Sequence, residues 1–487
     1  MQKIGIILDC EPNWGGSFQY AQCLFEAVYS FSQTKETELL AFYIQPGWLD
    51  YLSGFNVKCI KIAGEYIRDT ITIDSEKCMF VVGTAQTGWS ERLVTPVIEP
   101  IHDLMHRYEP GFPEVSENDT YERREQLFLS IVRNAVGVLV DSNEGARHVK
   151  DSYGDCYKDK IYVLPFAAPH YLFDDGESVE LPFDKYFFYP AQFWTHKNHI
   201  NLIYAVAKLR DQGILVKVVF VGSKKNGYDV VATLIDKLKL NEQISILGYV
   251  SDAKMRFLYE NACALFMPTF FGPTNIPPIE AITLGCPVAV SNIYGMPEQL
   301  GNAALYFDPS DVDGIASAMN NLWEDESLRK RLIKEGNLIS NRFSLETFNK
   351  NFETIGNAVL ERIEIERALF SEILSFCENH SRLYIYGAGE YAFRIKHILD
   401  KKHIFIDQIV VTSAANNQKT NSFFNKSIAD VSNTQFGEND GVIVAMSSKY
   451  IEEVIAVLKE RQVKSDDIFV TNESWLRNAY FNIFMMS

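Results

Sequence analysis

Short apolar runs separated by helical patterns recur through the whole chain, and that alternation confines it to a small set of folds. Residues 4–9 (IGIILD), 39–44 (LLAFYI), 79–83 (MFVVG), 96–103 (PVIEPIHD), 137–142 (GVLVDS) and 161–166 (IYVLPF) read as strands, and residues 20–32 as the helix of the first crossover. Strands alternating with helices imply a parallel sheet covered on both faces. Residues 165–182, with their Pro, Asp and Gly content, read as a linker, and strands resume at 185–193, 216–223, 244–250 and 264–270. Two such domains leave a cleft facing the carboxyl ends of both sheets. A helical pattern over about 346–379 then leads to a third, smaller unit. That unit has a strand and Gly-rich turn at 382–393, a strand at 407–411, a polar Asn/Ser/Lys stretch, a strand at 441–447, a helix at 450–463 and a strand at 467–470. At about 150 residues per domain, 487 residues suit about three domains. The expected division is 1–172, 173–345, a connecting helical segment 346–379, and 380–487.

The segment 270–298, FFGPTNIPPIEAITLGCPVAVSNIYGMPE, carries the most chemistry. It reads as loop, helix and strand, with the helix ending at Gly285 and Pro287 leading into Val288, Ala289 and Val290. The loop through Gly272, Pro273, Thr274 and Asn275 exposes backbone amides, and amides at a helix N-terminus favour an anion such as phosphate. Glu280, expected at the start of that helix, can accept hydrogen bonds from vicinal hydroxyls. Phosphate plus ribose means a nucleotide.

These residues resemble the donor-binding signature of retaining glycosyltransferases of family 4, whose GT-B fold sets two Rossmann-like domains face to face. The family's E-x7-E motif ends in the Glu that binds the donor ribose, which Glu280 matches; where the first Glu would stand this chain has Gly272. The form GPTNIPPIEA looks like a variant seen in enzymes of bacterial polysaccharide assembly. The family's R-x4-K element falls on Gln192 and Lys197, so the Lys is present and the Arg is not. A Lys beyond a strand end can stabilise the charge that grows on a departing diphosphate; the plain alternative is a solvated loop Lys. His196 and His199 flank it, and loop polar contacts rather than a metal are expected of them.

His102 and Asp103, after the run TPVIEPI, resemble the family's HD step, which implies that His102 lies beside the donor sugar and orients it. Gly15 and Gly16, between the first strand and first helix, match a Gly-Gly turn that lets backbone and substrate approach closely. The resemblance therefore implies Lys197, His102 and Glu280 as catalytic, and Gly15, Gly16, Gln192, Lys197, Thr274, Asn275, Ile276 and Glu280 as donor-binding. The Asn275 amide suits sugar hydroxyls, although Asn is also an ordinary loop residue. Glu298 reads as a cap of the helix that follows it.

In the third unit Gly387, Gly389 and Ala392 fit the G-x-G-x-x-A dinucleotide turn after a strand and before a helix. Thr412 and Ser413 stand where an acid would hold an adenine ribose. The unit resembles small Rossmann-like domains appended to sugar-modifying enzymes, and docking, oligomerisation or regulation is expected of it.

Composition excludes some rivals. A net charge of −17 argues against a general nucleic-acid binder, whose affinity rests on Lys and Arg at phosphates. No secretory leader is read at the N-terminus and no apolar run of about 18 residues occurs, so membrane contact is expected to be peripheral at most. The eight cysteines show no C-x-x-C pair and no zinc spacing, and burial in a reducing cytoplasm is expected of them. The chain is thus expected to be a cytoplasmic, metal-independent hexosyltransferase without a cofactor, acting on a nucleoside diphosphate sugar and a glycan or lipid-linked glycan. Two alternatives stay open: an NAD-dependent sugar-nucleotide oxidoreductase or epimerase, and a catalytically silent nucleotide-sugar binder.

Overall fold

The computed structural model describes residues 1–11, 15–174, 180–413 and 428–471. Three parallel sheets follow one another along the chain. The first holds β1 (Lys3–Leu8), β2 (Glu38–Tyr43), β3 (Lys58–Lys61), β4 (Val81–Gly83), β5 (Val97–Pro100), β6 (Gly137–Val140) and β7 (Ile161–Val163), in the order β3-β2-β1-β4-β5-β6-β7. The second holds β8 (Phe187–Pro190), β9 (Val218–Val221), β10 (Ile244–Ile246), β11 (Ala264–Met267), β12 (Val288–Ser291) and β13 (Ala304–Phe307), ordered β10-β9-β8-β11-β12-β13. The third holds β14 (Arg382–Tyr386), β15 (Gln408–Val411), β16 (Ile428–Asp430), β17 (Asp440–Val444) and β18 (Ile468–Val470), ordered β16-β15-β14-β17-β18. In each sheet the first strand lies inside, with later strands added on both sides. This creates a switch point where loops diverge and a crevice opens.

Helices α1 (Gly16–Thr34), α2 (Asn143–Tyr153), α3 (Ile276–Thr283) and α4 (Met296–Leu300) belong to the first two units, α5 (Leu345–Glu378) leads to the third, and α6 (Glu390–Lys401) follows β14 within it. The interior strands are apolar and fully buried, as in Val218–Val221 and Ala264–Met267, because helices cover both faces. Helix α5 begins under the cap of Ser344, whose Oγ accepts from the Thr347 amide at 3.2 Å. Its first half buries Phe348, Phe352 and Val359 in one core with Leu24, Val28 and Phe31 of α1. Farther along, Phe370, Ile373 and Cys377 join the same core beside Leu383, Ile385 and Ile395 of the third unit.

The strands read from sequence are present; β3, β13 and β16 were not anticipated. In β3, Lys58, Cys59 and Lys61 are exposed, so that edge strand has no apolar signature. The stretch read as a linker is more than one. Within it His170–Phe173 forms a 3₁₀ turn that buries Tyr171 and Leu172, while residues 175–179 lie outside the described residues. The polar stretch of the third unit lies largely in 414–427, also outside them, as do 12–14 and 472–487. Among the described cysteines Cys59 is exposed and Cys263 half-buried, and the other five are buried; the side chain of Cys156 lies outside the described residues. No helix among the described residues is long and apolar enough to cross a membrane.

Candidate active site

The loop after β11 and the start of α3 form one wall. Gly272 sits at φ +145°, and a Cβ there would lie 2.5 Å from Asn275 Nδ2, so the Asn275 side chain fills the space a side chain at 272 would enter. The space beside Gly272 is thus held by a neutral amide three residues on. Asn275 occupies the N-cap position of α3 without capping it. Its Oδ1 instead accepts from Lys197 Nζ at 3.2 Å, and its backbone is clamped by Gln299, which accepts from the Asn275 amide at 3.2 Å and donates to its carbonyl at 2.8 Å. Gly295, just before α4, also touches this loop, since a Cβ there would run into the Pro273 carbonyl oxygen.

Lys197 ends the 3₁₀ turn Thr195–Lys197 beyond β8, and Asn198 follows at φ 57°. Asn198 Nδ2 donates to the carbonyls of Pro268 and Pro309, both at 2.8 Å, which ties the loops after β8, β11 and β13 together. Burial pulls the Lys197 ammonium down to about 8, against the opposing charges of Asp103 and Glu114. Gln192 Oε1 accepts from Trp194 Nε1 at 2.8 Å within its own loop. His199 stacks on Phe193 with ring centroids 4.5 Å apart and is buried, so it belongs to the core. No group of three or more His, Cys, Asp or Glu suited to a metal occurs among the described residues.

Glu280 lies in the second turn of α3, not at its start, because Pro277 and Pro278 are already inside the helix. It is buried and accepts from the Tyr259 hydroxyl at 2.6 Å. Burial raises its pKa, while the hydroxyls of Tyr259 and Tyr171 oppose the rise. Tyr171, from the supposed linker, is therefore part of the site. The Tyr259 hydroxyl occupies Glu280 in the way a sugar hydroxyl was expected to, with Tyr171 facing it.

The first domain supplies the facing wall. His102 follows β5, its amide donating to Gln86 Oε1 at 3.2 Å and its ring meeting Tyr20 edge-on at 4.7 Å. Burial lowers its pKa to about 4, which keeps the ring neutral. Asp103 pairs with Arg124 and accepts from the Met105 amide. Gly15 is exposed at φ 59°, and Gly16 opens α1 opposite α3, where a Cβ would lie 3.4 Å from Ile276 Cδ1.

Four carboxylates bridge the cleft. Asp141, just after β6, accepts from the amide and the hydroxyl of Thr274. Thus one of the amides expected to hold phosphate already holds a carboxylate. Burial raises the Asp141 carboxyl to about 6. Glu114 accepts from the amide and the Nδ1 of His196, both at 3.1 Å, and Glu109 accepts from the Tyr294 hydroxyl at 2.6 Å. Glu298 caps a helix, though not the one expected: it accepts from the Asn143 amide at 2.9 Å and the Glu144 amide at 3.3 Å, at the N-terminus of α2 in the opposite domain. Met105 and Val115 meet Phe271 between these bridges. Asp141, Tyr171, Tyr259 and Gln299 lie outside any motif, and each reaches the site only through the packing of separate segments.

The third unit's turn stands apart. Gly387, at φ +124°, lies where a Cβ would meet the Ala445 carbonyl at 2.7 Å; Ala392 is buried; nothing lies within 4 Å of a Cβ built on Gly389. The Tyr386 and Thr412 hydroxyls share a hydrogen bond at 2.8 Å where a ribose-binding acid would stand.

Residues 176–338, which include β8 to β13, match the family described as Glycosyl transferases group 1. The chain is 34% identical over 118 residues to O-antigen chain mannosyltransferase B of Escherichia coli, covering 24% of this chain and 31% of that protein. It is 30% identical over 177 residues to O-antigen chain mannosyltransferase RfbU of Salmonella typhimurium, covering 36% and 48%. The chain thus spans between about a third and a half of the length of these curated relatives. Among solved structures it is similar to Anabaena HepE in complex with UDP and glucose, with a TM-score of 0.57 and 16% identity over 73% of this chain and 100% of that one. A glycosyltransferase from Rickettsia africae gives a TM-score of 0.56 and 16% identity over 74% and 98%. The fold built on the first two sheets is GT-B.

Proposed function

We propose that this chain, which carries a Glycosyl transferases group 1 domain within a GT-B frame, moves a hexose from a nucleoside diphosphate sugar to a growing surface glycan, with retention at the anomeric carbon. The observation that carries this reading is the meeting of Lys197 Nζ with the N-terminal end of α3 through Asn275, with Glu280 one turn farther along. A cation and a helix N-terminus converging at one point suit a diphosphate. A buried carboxylate already bonded to a hydroxyl suits a ribose. The names of the relatives make mannose the first hexose to test.

As the sugar–phosphate bond breaks, Lys197 balances the charge gathering on the leaving oxygen. The departing phosphate takes the acceptor hydroxyl proton on the same face of the sugar. Neutral His102 orients the sugar from the opposite wall, and Asn275 presents its amide to the hexose hydroxyls where the first motif Glu would have stood. Asp141 must yield the Thr274 amide for phosphate to take it, so donor binding and the contact between domains are coupled. No metal or cofactor enters this scheme, and the reaction takes place in the cytoplasm, at most at the inner face of the membrane. The third unit serves docking, oligomerisation or regulation.

The test is incubation of the full chain with a panel of uridine and guanosine diphosphate hexoses and oligosaccharide acceptors, followed by mass detection of transfer and NMR of the new anomeric linkage. Binding of nucleoside diphosphate without transfer to any acceptor would favour the silent binder. Tight NAD binding with hydride transfer would favour the oxidoreductase.

A further inference from the structure

A cavity of about 480 Å³ opens beside this site, lined by Glu109, Phe270, Asn292, Tyr294, Asp308 and Ser310 among others. Glu109 comes from the first domain, and the rest come from the loops after β11, β12 and β13. The strand order fixes what lies next to what. Lys197 and the glycine loop stand beyond β8 and β11 at the centre of the sheet, and Tyr259, which bonds Glu280, belongs to the helix Asp252–Glu260 that follows β10. A nucleotide with its ribose at Glu280 and its diphosphate at Lys197 therefore runs from the β10 side toward the centre. The cavity lies on the other side, over β12 and β13, beyond the reactive end of the donor.

Its chemistry differs from that of the diphosphate site. No Lys, Arg or His lines it, and two carboxylates do, so it disfavours anions. Glu109 Oε1 accepts from Tyr294, and Asp308 Oδ1 accepts from the Ser310 amide and hydroxyl. Glu109 Oε2, Asp308 Oδ2 and the Asn292 side-chain amide have no partner among the described residues. Free acceptors facing hydroxyl donors, with the Phe270 and Tyr294 rings available to C–H faces, suit a neutral, hydroxyl-rich ring. The cavity is also wired to the reaction centre: the Phe270 amide donates to the His196 carbonyl at 2.8 Å, one residue before Lys197, and the Phe270 ring lies 5.7 Å from that of Phe112 across the cleft.

We propose that this cavity is an acceptor-side subsite that holds a neutral hexose unit of the glycan beyond the residue being extended. The assignment rests on the glycosyl-transfer reading above. Because Glu109 and Tyr294 come from different domains, the subsite is complete only when the domains are closed, and a bound glycan favours closure.

The experiment titrates mannotriose and maltotriose into the full chain by calorimetry, comparing wild type with Asn292→Trp, which fills the cavity, and Asp308→Asn, which keeps its shape. A nucleoside diphosphate titration and transfer to a short acceptor run alongside. At least one trisaccharide should bind wild type, and Asp308→Asn should cost about tenfold in affinity, the worth of a hydrogen bond to a charged group. Asn292→Trp should abolish trisaccharide binding, raise KM for long acceptors, and leave kcat on the short acceptor and nucleoside diphosphate affinity unchanged. Equal trisaccharide binding by wild type and both variants, or no binding to wild type, overturns the subsite. Manganese or calcium binding lost in Asp308→Asn, with no trisaccharide bound, makes it a cation site instead. If nucleoside diphosphate fails to bind wild type, the transferase reading itself falls; if it binds and short acceptors are extended, only the subsite is in question.

Discussion

The loop after β11 and the loop after β14 share a local design of strand, glycine turn and helix N-terminus, and they differ in what the rest of the molecule brings to them. The first receives Lys197 from β8, Gln299 from α4 and Asp141 from another domain, and each holds a polar group of the loop. The second is closed by its own sheet: Gly387 presses toward Ala445, and Tyr386 and Thr412 satisfy each other. A glycine turn before a helix is thus a place where a site can be built. The groups that build it come from distant sequence.

The largest break in this comparison should come from Lys197→Ala. Loss of one preorganised charge stabiliser is expected to lower kcat by about 10² to 10³, with a smaller loss of donor affinity; wild-type turnover would remove Lys197 from the mechanism. The same residue gives a pH signature. Burial holds the ammonium at about 8 in the donor-free protein, and a bound diphosphate stabilises its charge. Nucleoside diphosphate binding should therefore take up protons near pH 8 and weaken above it, as calorimetry in buffers of different ionisation enthalpy would show.

Next in size, Glu280→Gln should reduce nucleoside diphosphate affinity by about tenfold, since hydrogen bonds to a charged acceptor exceed those to a neutral one. Unchanged affinity would mean that Glu280 serves only Tyr259 and Tyr171.

Asp141→Asn sharpens the comparison through stability. A carboxyl held at about 6 favours its neutral form in the folded protein, so its contribution is full below the ordinary value near 4 and is lost as pH rises through about 6. The difference amounts to about 3 kcal/mol. Thermal unfolding of wild type should fall in midpoint across pH 4 to 6 more steeply than that of Asp141→Asn. Parallel curves would separate Asp141 from the closure of the cleft.

The smallest effect belongs to the other loop: Gly389→Ala, pointing into open space, should leave transfer rates and melting temperature within error. A loss of transfer in a well-folded variant would show that the third unit completes the active site.

How much of the molecule is legible in its sequence depends on the distance over which each feature is encoded. The glycine loop, α3 and Glu280 are consecutive, so their pattern is visible in one window. Lys197 and His102 follow strands with strong apolar runs. Asp141 meets Thr274, and Glu298 meets Asn143, across more than a hundred residues, and only the packing of two domains brings them together. Glu298 was recognisable as a cap because of its position, while the helix it caps was not. Tyr171 hid in a segment whose Pro, Asp and Gly content signals a connection, because burial of one aromatic leaves no periodicity. β13 (Ala304–Phe307) and β16 (Ile428–Asp430) are runs of four and three residues, too short for alternation to show.

Helix α5 has a mechanical consequence. At 34 residues it extends about 50 Å, anchored at one end in the core of the first domain and at the other in that of the third unit. Were the cleft to open, it would move as a lever whose fulcrum is the first domain. A rotation of about 10° would sweep the far end by roughly 9 Å relative to the second domain. A partner that gripped the third unit would thereby gain leverage over the cleft between the first two domains.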